Sequence, residues 1–207
     1  MGTLLVHLET TPTDITASTE DRFLVTNATI TAIGVYDVER KQTAVYYNTE
    51  ILEETEGVVR LHKPRTEKEM LEDFWIGATD YDIFVTFNGR SFALPMLLHR
   101  SLHHHLKPTI ELVPKRFLTN QSLPYHVDLL EELTFYGAIK RQSLYDFCAL
   151  YHIDLPTKTE AFPALLAAGD VTSYCRAVED TILALQAVYE KWLQNLAPKS
   201  FINAVEL

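Results

Sequence analysis

Asp82-Ile-Phe-Val-Thr-Phe-Asn-Gly-Arg-Ser-Phe-Ala-Leu-Pro-Met-Leu-Leu-His-Arg100 is the stretch whose reading decides the fold. Ile83, Phe84, Val85 and Phe87 form a β-branched and aromatic run, the mark of a buried strand. Asn88-Gly89 breaks that run and turns the chain. Apolar residues return at Phe92, Met96 and Leu97, spaced for one face of a helix, with Pro95 in the first turn where its missing N–H does no harm. Strand, tight turn and helix together bring polar groups to the C-terminal edge of a sheet, which makes the chain an α/β protein.

Outward from there, Thr3–Leu8 reads as a short strand closed by Glu9-Thr10-Thr11-Pro12, with His7 and Glu9 on one side of it because strand side chains alternate. Pro12–Leu24 is polar and reads as a loop. Ala28–Asp37 is a strong strand, Glu39–Gln42 a turn and Thr43–Tyr47 a return strand, so strands one to three form an antiparallel meander. Val58–Leu61 reads as a further short strand. Glu67–Ile76 carries Met70, Leu71, Phe74 and Trp75 at helical spacing. Beyond Arg100 the pattern weakens through His103-His104-His105 and Lys107–Pro124, with Thr109–Val113 extended. Helices are expected over Val127–Leu133, over Ser143–Tyr151 with Ser143 and Asp146 as a capping box, over Pro163–Ala168 ended by Gly169, and over Val171–Leu196. The expected class is a three-layer α/β/α arrangement on a mixed sheet, one domain over residues 1–196 with a C-terminal tail over 197–207.

The 207 residues are long enough to bury a core, and 47% apolar with 22% charged is ordinary globular composition. Eighteen basic against 28 acidic residues give a formal charge of −10, which excludes a coat protein that grips nucleic acid through its overall field. It does not exclude an enzyme that handles phosphodiesters through bound cations. Cys148 and Cys175 make no disulfide framework, the N-terminus lacks a signal-peptide pattern, and no apolar run reaches membrane length. A soluble cytoplasmic protein with no membrane partner is the expectation.

Three segments together resemble the motifs of the DEDD 3′–5′ exonucleases, in the branch of predicted exonucleases related to the family B DNA polymerase proofreading domain. Val6-His7-Leu8-Glu9-Thr10-Thr11-Pro12 resembles the first motif, Asp-x-Glu at the end of strand one. Thr86-Phe87-Asn88-Gly89-Arg90-Ser91-Phe92-Ala93-Leu94-Pro95 resembles the second, Asn-Gly-x-x-Phe-Asp-x-Pro. Tyr174-Cys175-Arg176-Ala177-Val178 resembles the third, Tyr-x-x-x-Asp. His126–Leu130, Leu133–Tyr136 and Gly169-Asp170 also match that branch, so the likeness runs over nearly the whole chain. It implies a ribonuclease H-like fold and a cleft for single-stranded nucleic acid, with Asn88, Arg90 and Phe92 as its nucleic-acid-contacting candidates.

In that family four carboxylates hold two divalent cations about 4 Å apart, which activate a water and stabilise the leaving oxygen. Here His7, Ala93 and Val178 stand at three of those positions. Glu9 alone survives as a metal ligand, and Tyr174, which the resemblance makes the residue orienting the attacking water, survives with it. The implied function is a 3′–5′ exonuclease-like domain without catalysis and without a cofactor, retained for nucleic-acid binding or protein interaction. The alternatives are an active exonuclease using Mg²⁺ or Mn²⁺ on a rearranged site of His7, Glu9 and Glu179, and a plain scaffold. Each residue also has a structural reading. His7 is a hydrogen-bonded strand residue, Glu9 is either paired, for example with His7, or carries a raised pKa, Asn88 holds a turn, and Phe92 and Tyr174 pack at the core edge. The histidine run is a solvated patch, and Lys115-Arg116 and Lys140-Arg141 are either phosphate contacts or solvated charges.

Overall fold

A computed structural model of the chain describes residues 1–14, 18–52, 62–112, 125–199 and 201–202. Its centre is a six-stranded mixed sheet in the order β4-β3-β2-β1-β5-β6, comprising β1 (Thr3–Pro12), β2 (Ala28–Asp37), β3 (Gln42–Asn48), β4 (His62–Arg65), β5 (Ile83–Thr86) and β6 (Tyr125–Asp128). β1–β2 and β2–β3 pair antiparallel, whereas β3–β4, β1–β5 and β5–β6 pair parallel. The expected meander is therefore present, and the strand after it joins β1 in parallel.

Alternation on β1 divides the core into two layers. Leu4, Val6 and Leu8 pack with Met70, Leu71, Phe74 and Trp75 of α1 (Glu67–Ala78) and with Met96 and Leu97 of α2 (Leu94–His103). Leu5 points the other way, to Ile182, Leu185 and Tyr189 of the long helix α6 (Val171–Asn195). α1 begins with a capping box between Thr66 and Glu69, and α6 begins at Asp170, whose carboxylate accepts from Ser173 N–H at 3.0 Å. α3 (Leu129–Leu133), α4 (Leu144–Leu150, capped by Ser143 and Asp146 as expected) and α5 (Phe162–Ala167) fill in beside α6. Helices on both faces of a mixed sheet give the expected ribonuclease H-like α/β/α fold. Among the described residues no helix is long and apolar enough to cross a membrane.

Local readings differ from the sequence expectation where a tertiary partner decides. β1 does not close at Leu8 but runs to Pro12 through a register shift between Glu9 and Thr10, which leaves Thr31 of β2 without an opposite residue. The polar stretch after it contains a 3₁₀ turn at Thr19–Phe23. Val127 and Asp128 end a strand rather than start a helix, because Val127 pairs with Val85 and the Asp128 side chain caps Leu130 N–H at 3.1 Å. Asn88-Gly89 leads into one π-helical turn, Gly89–Ala93, before α2. The expected strand at 58–61 lies outside the described residues, as does position 113; residues 109–112 are not strand. Past α6, the Phe201 ring packs edge-on against Trp192 with centroids 5.2 Å apart.

Candidate functional site

At the C-terminal end of β1 a cavity of about 290 Å³ is bounded by His7, Glu9, Asn88, Phe92 and Ala93, with Thr181 of α6 on its far wall. His7 Nε2 lies 3.0 Å from Glu9 Oε1, so strand alternation places the pair together as the sequence implies. Glu9 is buried and His7 about one-fifth exposed. Ala93 enters from the π-helical turn and is 3% exposed. Val178 lies behind the wall: it is fully buried, and a Cβ built on Gly34, the residue paired with His7, would come within 2.9 Å of its Cγ1. The absent side chain at Gly34 lets α6 approach β2 at this point.

Tyr174 and Arg90 are not in that wall. The Tyr174 hydroxyl is 2.6 Å from the hydroxyl of Thr31, the residue freed by the register shift. Burial first, and the nearby Glu9 charge second, push its phenol above the ordinary range. Asn88 holds the left-handed conformation with φ 62°, and its N–H donates to Asp128 at 2.8 Å while Arg90 N–H donates to the other carboxylate oxygen at 2.9 Å. Its side-chain Oδ1 is buried with no hydrogen-bond partner among the described residues. Burial pushes the Asp128 carboxyl up despite those backbone donors. His126, bonded to Thr86 Oγ1 at 2.8 Å, is pushed down to about 3 by burial and by the Arg90 charge. Asp128 thus holds the Asn-Gly turn in place, and His126 holds the Thr86 side chain beneath it.

Sequence reasoning gave no site role to most of the wall. Phe23, Phe87, Tyr145 and Glu160 also border the cavity, and Phe23 meets Phe92 edge-on with centroids 5.5 Å apart. Phe23 comes from a polar segment and Glu160 from a short 3₁₀ turn, neither of which carries a periodic signal.

Other candidates fall elsewhere. Glu179 Oε2 lies 3.6 Å from His62 Nε2 at the opposite end of the sheet order, and Asp180 pairs with Arg176 at 3.4 Å. The histidine run splits as its spacing demands, but His104 is not solvated: its Nε2 contacts the buried Glu67 at 2.8 Å. Lys140 and Arg141 are exposed, with Arg141 paired to Glu131; Lys115-Arg116 lies outside the described residues. Among the described residues no group of three or more His, Cys, Asp or Glu could hold a metal ion. Hard divalent cations need several anionic oxygens, and a pair of them needs more still. His7 and Glu9, already bonded to each other, do not fit a two-metal centre.

A family model described as a predicted 3′–5′ exonuclease related to the exonuclease domain of PolB matches residues 38–162. The matched span contains the Asn-Gly turn and Asp128 and leaves β1 and α6 outside it. No curated protein matches the chain.

Proposed function

This chain belongs to the family of predicted 3′–5′ exonucleases related to the exonuclease domain of PolB, and within it we propose a member that no longer hydrolyses and uses its cleft to hold an end of single-stranded nucleic acid. The observation that carries this reading is the donor set of the motifs: one carboxylate, Glu9, bonded to His7, with Ala93 at the cavity and Val178 buried behind its wall at the other two positions. What the cleft keeps is suited to a base rather than to a metal-bound phosphate. Phe23, Phe87, Phe92 and Tyr145 offer ring faces and edges, and each base–aromatic stack contributes about 1–3 kcal/mol. A working site on His7, Glu9 and Glu179 gains no support from a Glu179 turned to His62. Cys148 and Cys175 are free and buried, and burial pushes their thiols up to about 11 and about 12, which suits the cytoplasm we assign to the protein.

The test uses the full chain with labelled single-stranded DNA and RNA. We expect no shortening in Mg²⁺ or Mn²⁺, and binding by fluorescence anisotropy in EDTA that weakens about tenfold in Phe92→Ala. Digestion from the free end, abolished by Glu9→Gln, would overturn the reading. So would a failure of both strands to bind.

Restoring His7→Asp, Ala93→Asp and Val178→Asp together gives a second expectation. Positions 93 and 178 are 3% and 0% exposed, so carboxylates there cost several kcal/mol, on the order of a buried unpaired charge, unless cations join them. Melting of the triple variant should therefore rise with Mg²⁺ while the unaltered protein does not respond, because a ligand at about 100 times its Kd adds about 2.7 kcal/mol. A folded triple variant indifferent to Mg²⁺ would show that these positions do not surround a metal centre.

A further inference from the structure

A second, larger cavity of about 780 Å³ opens beyond the end of β1, between α5 and the facing ends of α1 and α2. Its volume falls within the range of small-molecule sites, about 300–1,000 Å³. One wall is apolar: Phe162, Pro163, Leu166 and Ala167 line it from α5. The other wall carries cations in two different states. Arg100 is already paired with the buried Glu67 carboxylate, which His104 also contacts, whereas Asp14 and Glu50 are further carboxylates of the lining. Among the described residues Arg22 is not so paired.

Arg22 is 6% exposed and borders the cavity, yet among the described residues its guanidinium donates one hydrogen bond, from Nη2 to the Thr159 carbonyl at 3.3 Å. The Phe23 ring supports it at 4.6 Å, and Thr10 Oγ1 holds its backbone by donating to the Arg22 carbonyl at 2.5 Å. Among the described residues no carboxylate forms an ion pair with it. Glu50, in the same wall, is turned to the start of α1, where it accepts from Glu67 N–H at 3.4 Å. A guanidinium has five N–H donors in a planar fork, and a buried one is stable when an oxyanion takes them.

We infer that this cavity binds a small organic anion, with a carboxylate or phosphate head on Arg22 and an apolar body against Phe162 and Leu166. The two heads share planar or near-planar oxygen pairs that match the fork. The two cavities share no lining residue, although Phe23 and Thr159, which hold the Arg22 guanidinium, border the aromatic cleft; the ligand inferred here carries no base, so the inference does not depend on nucleic-acid binding.

Calorimetry on the full chain with hexanoate, hexyl phosphate and inorganic phosphate tests it, and the first two separate the head groups without offering a base to the aromatic cleft. We expect hexanoate, hexyl phosphate or both to bind more tightly than inorganic phosphate, and to weaken at least about tenfold in Arg22→Met and in Leu166→Glu. Leu166 is half-buried, so its variant decides the matter if Arg22→Met fails to fold. No binding up to about 10 mM of either organic anion would overturn the proposal. So would inorganic phosphate binding as tightly as the organic anions, or affinity unchanged in both variants.

Discussion

Arg100→Met is expected to cost the fold about 3–5 kcal/mol at neutral pH, because it strands the buried Glu67 carboxylate. Glu67 opens α1 and is 1% exposed. It accepts from Ile30 N–H of β2 at 2.8 Å, from Arg100 of α2 at 2.8 and 2.5 Å, and contacts His104 at 2.8 Å. One side chain therefore ties two helices to the sheet. Burial alone would raise its carboxyl; the Arg100, His104 and Ile30 donors outweigh burial and hold it below the ordinary carboxylate range. In the unaltered protein the contribution is therefore full above the unfolded carboxylate pKa and is lost as pH falls through the lower folded value. With Arg100 gone, burial dominates and the folded pKa moves above the unfolded one. The variant's deficit should then be largest at pH 7, begin to shrink as pH falls through that raised folded value, and go on shrinking until pH passes the lower folded value of the unaltered protein. Arg100→Met with Glu67→Leu should recover part of the loss: no buried charge is left unpaired, but the buried Ile30 N–H loses its acceptor. Denaturant titrations across that pH range measure this. A loss under about 1 kcal/mol at pH 7 would show that His104 and Ile30 suffice.

The fold was legible where a residue's partner is near in sequence or set by a simple period. The Met70, Leu71, Phe74 and Trp75 stripe, the Tyr174–Trp192 face of α6 and the Ser143–Asp146 cap all depend on spacing within one element. Legibility failed where a distant strand decides. Val127 reads as helix by composition and becomes strand because Val85 is there to pair with it. β1 reads as ending before Glu9 and continues because β2 absorbs the irregularity at Thr31. The candidate site follows the same rule. His7 beside Glu9 is a consequence of alternation, but the encounter of Phe23 with Phe92 joins segments whose sequences hold no sign of each other. Arg22, in a stretch that reads as polar loop, was invisible as a buried cation for the same reason.

Gly89→Ala should be as damaging as any single methyl can be in this chain. A Cβ at position 89 would lie 1.9 Å from Thr86 Oγ1, 2.6 Å from Thr86 Cβ and 2.9 Å from His126 Nε2. None of these can withdraw cheaply. Thr86 ends β5, which is hydrogen-bonded to β1 on one side and β6 on the other, and its hydroxyl is engaged with His126. The turn itself is pinned by the two backbone donors to Asp128. Overpacking of a core costs about 1–3 kcal/mol where neighbours can adjust, and here the adjusting atoms are fixed, so about 3 kcal/mol or more is expected. Gly77→Ala is the matched control: a Cβ there meets nothing within 4 Å, and the position is inside α1, so stability should rise by up to about 1 kcal/mol. Thr86→Ala added to Gly89→Ala removes the hydroxyl clash but keeps the contact with Thr86 Cβ, so rescue should be partial. Full rescue would mean that the oxygen alone carries the strain, and a harmless Gly89→Ala would mean that the turn is free to move. In that second case Asn88 and Phe92 would not be held at the cleft by the Asp128 clamp, and oligonucleotide affinity should be equally insensitive to the change.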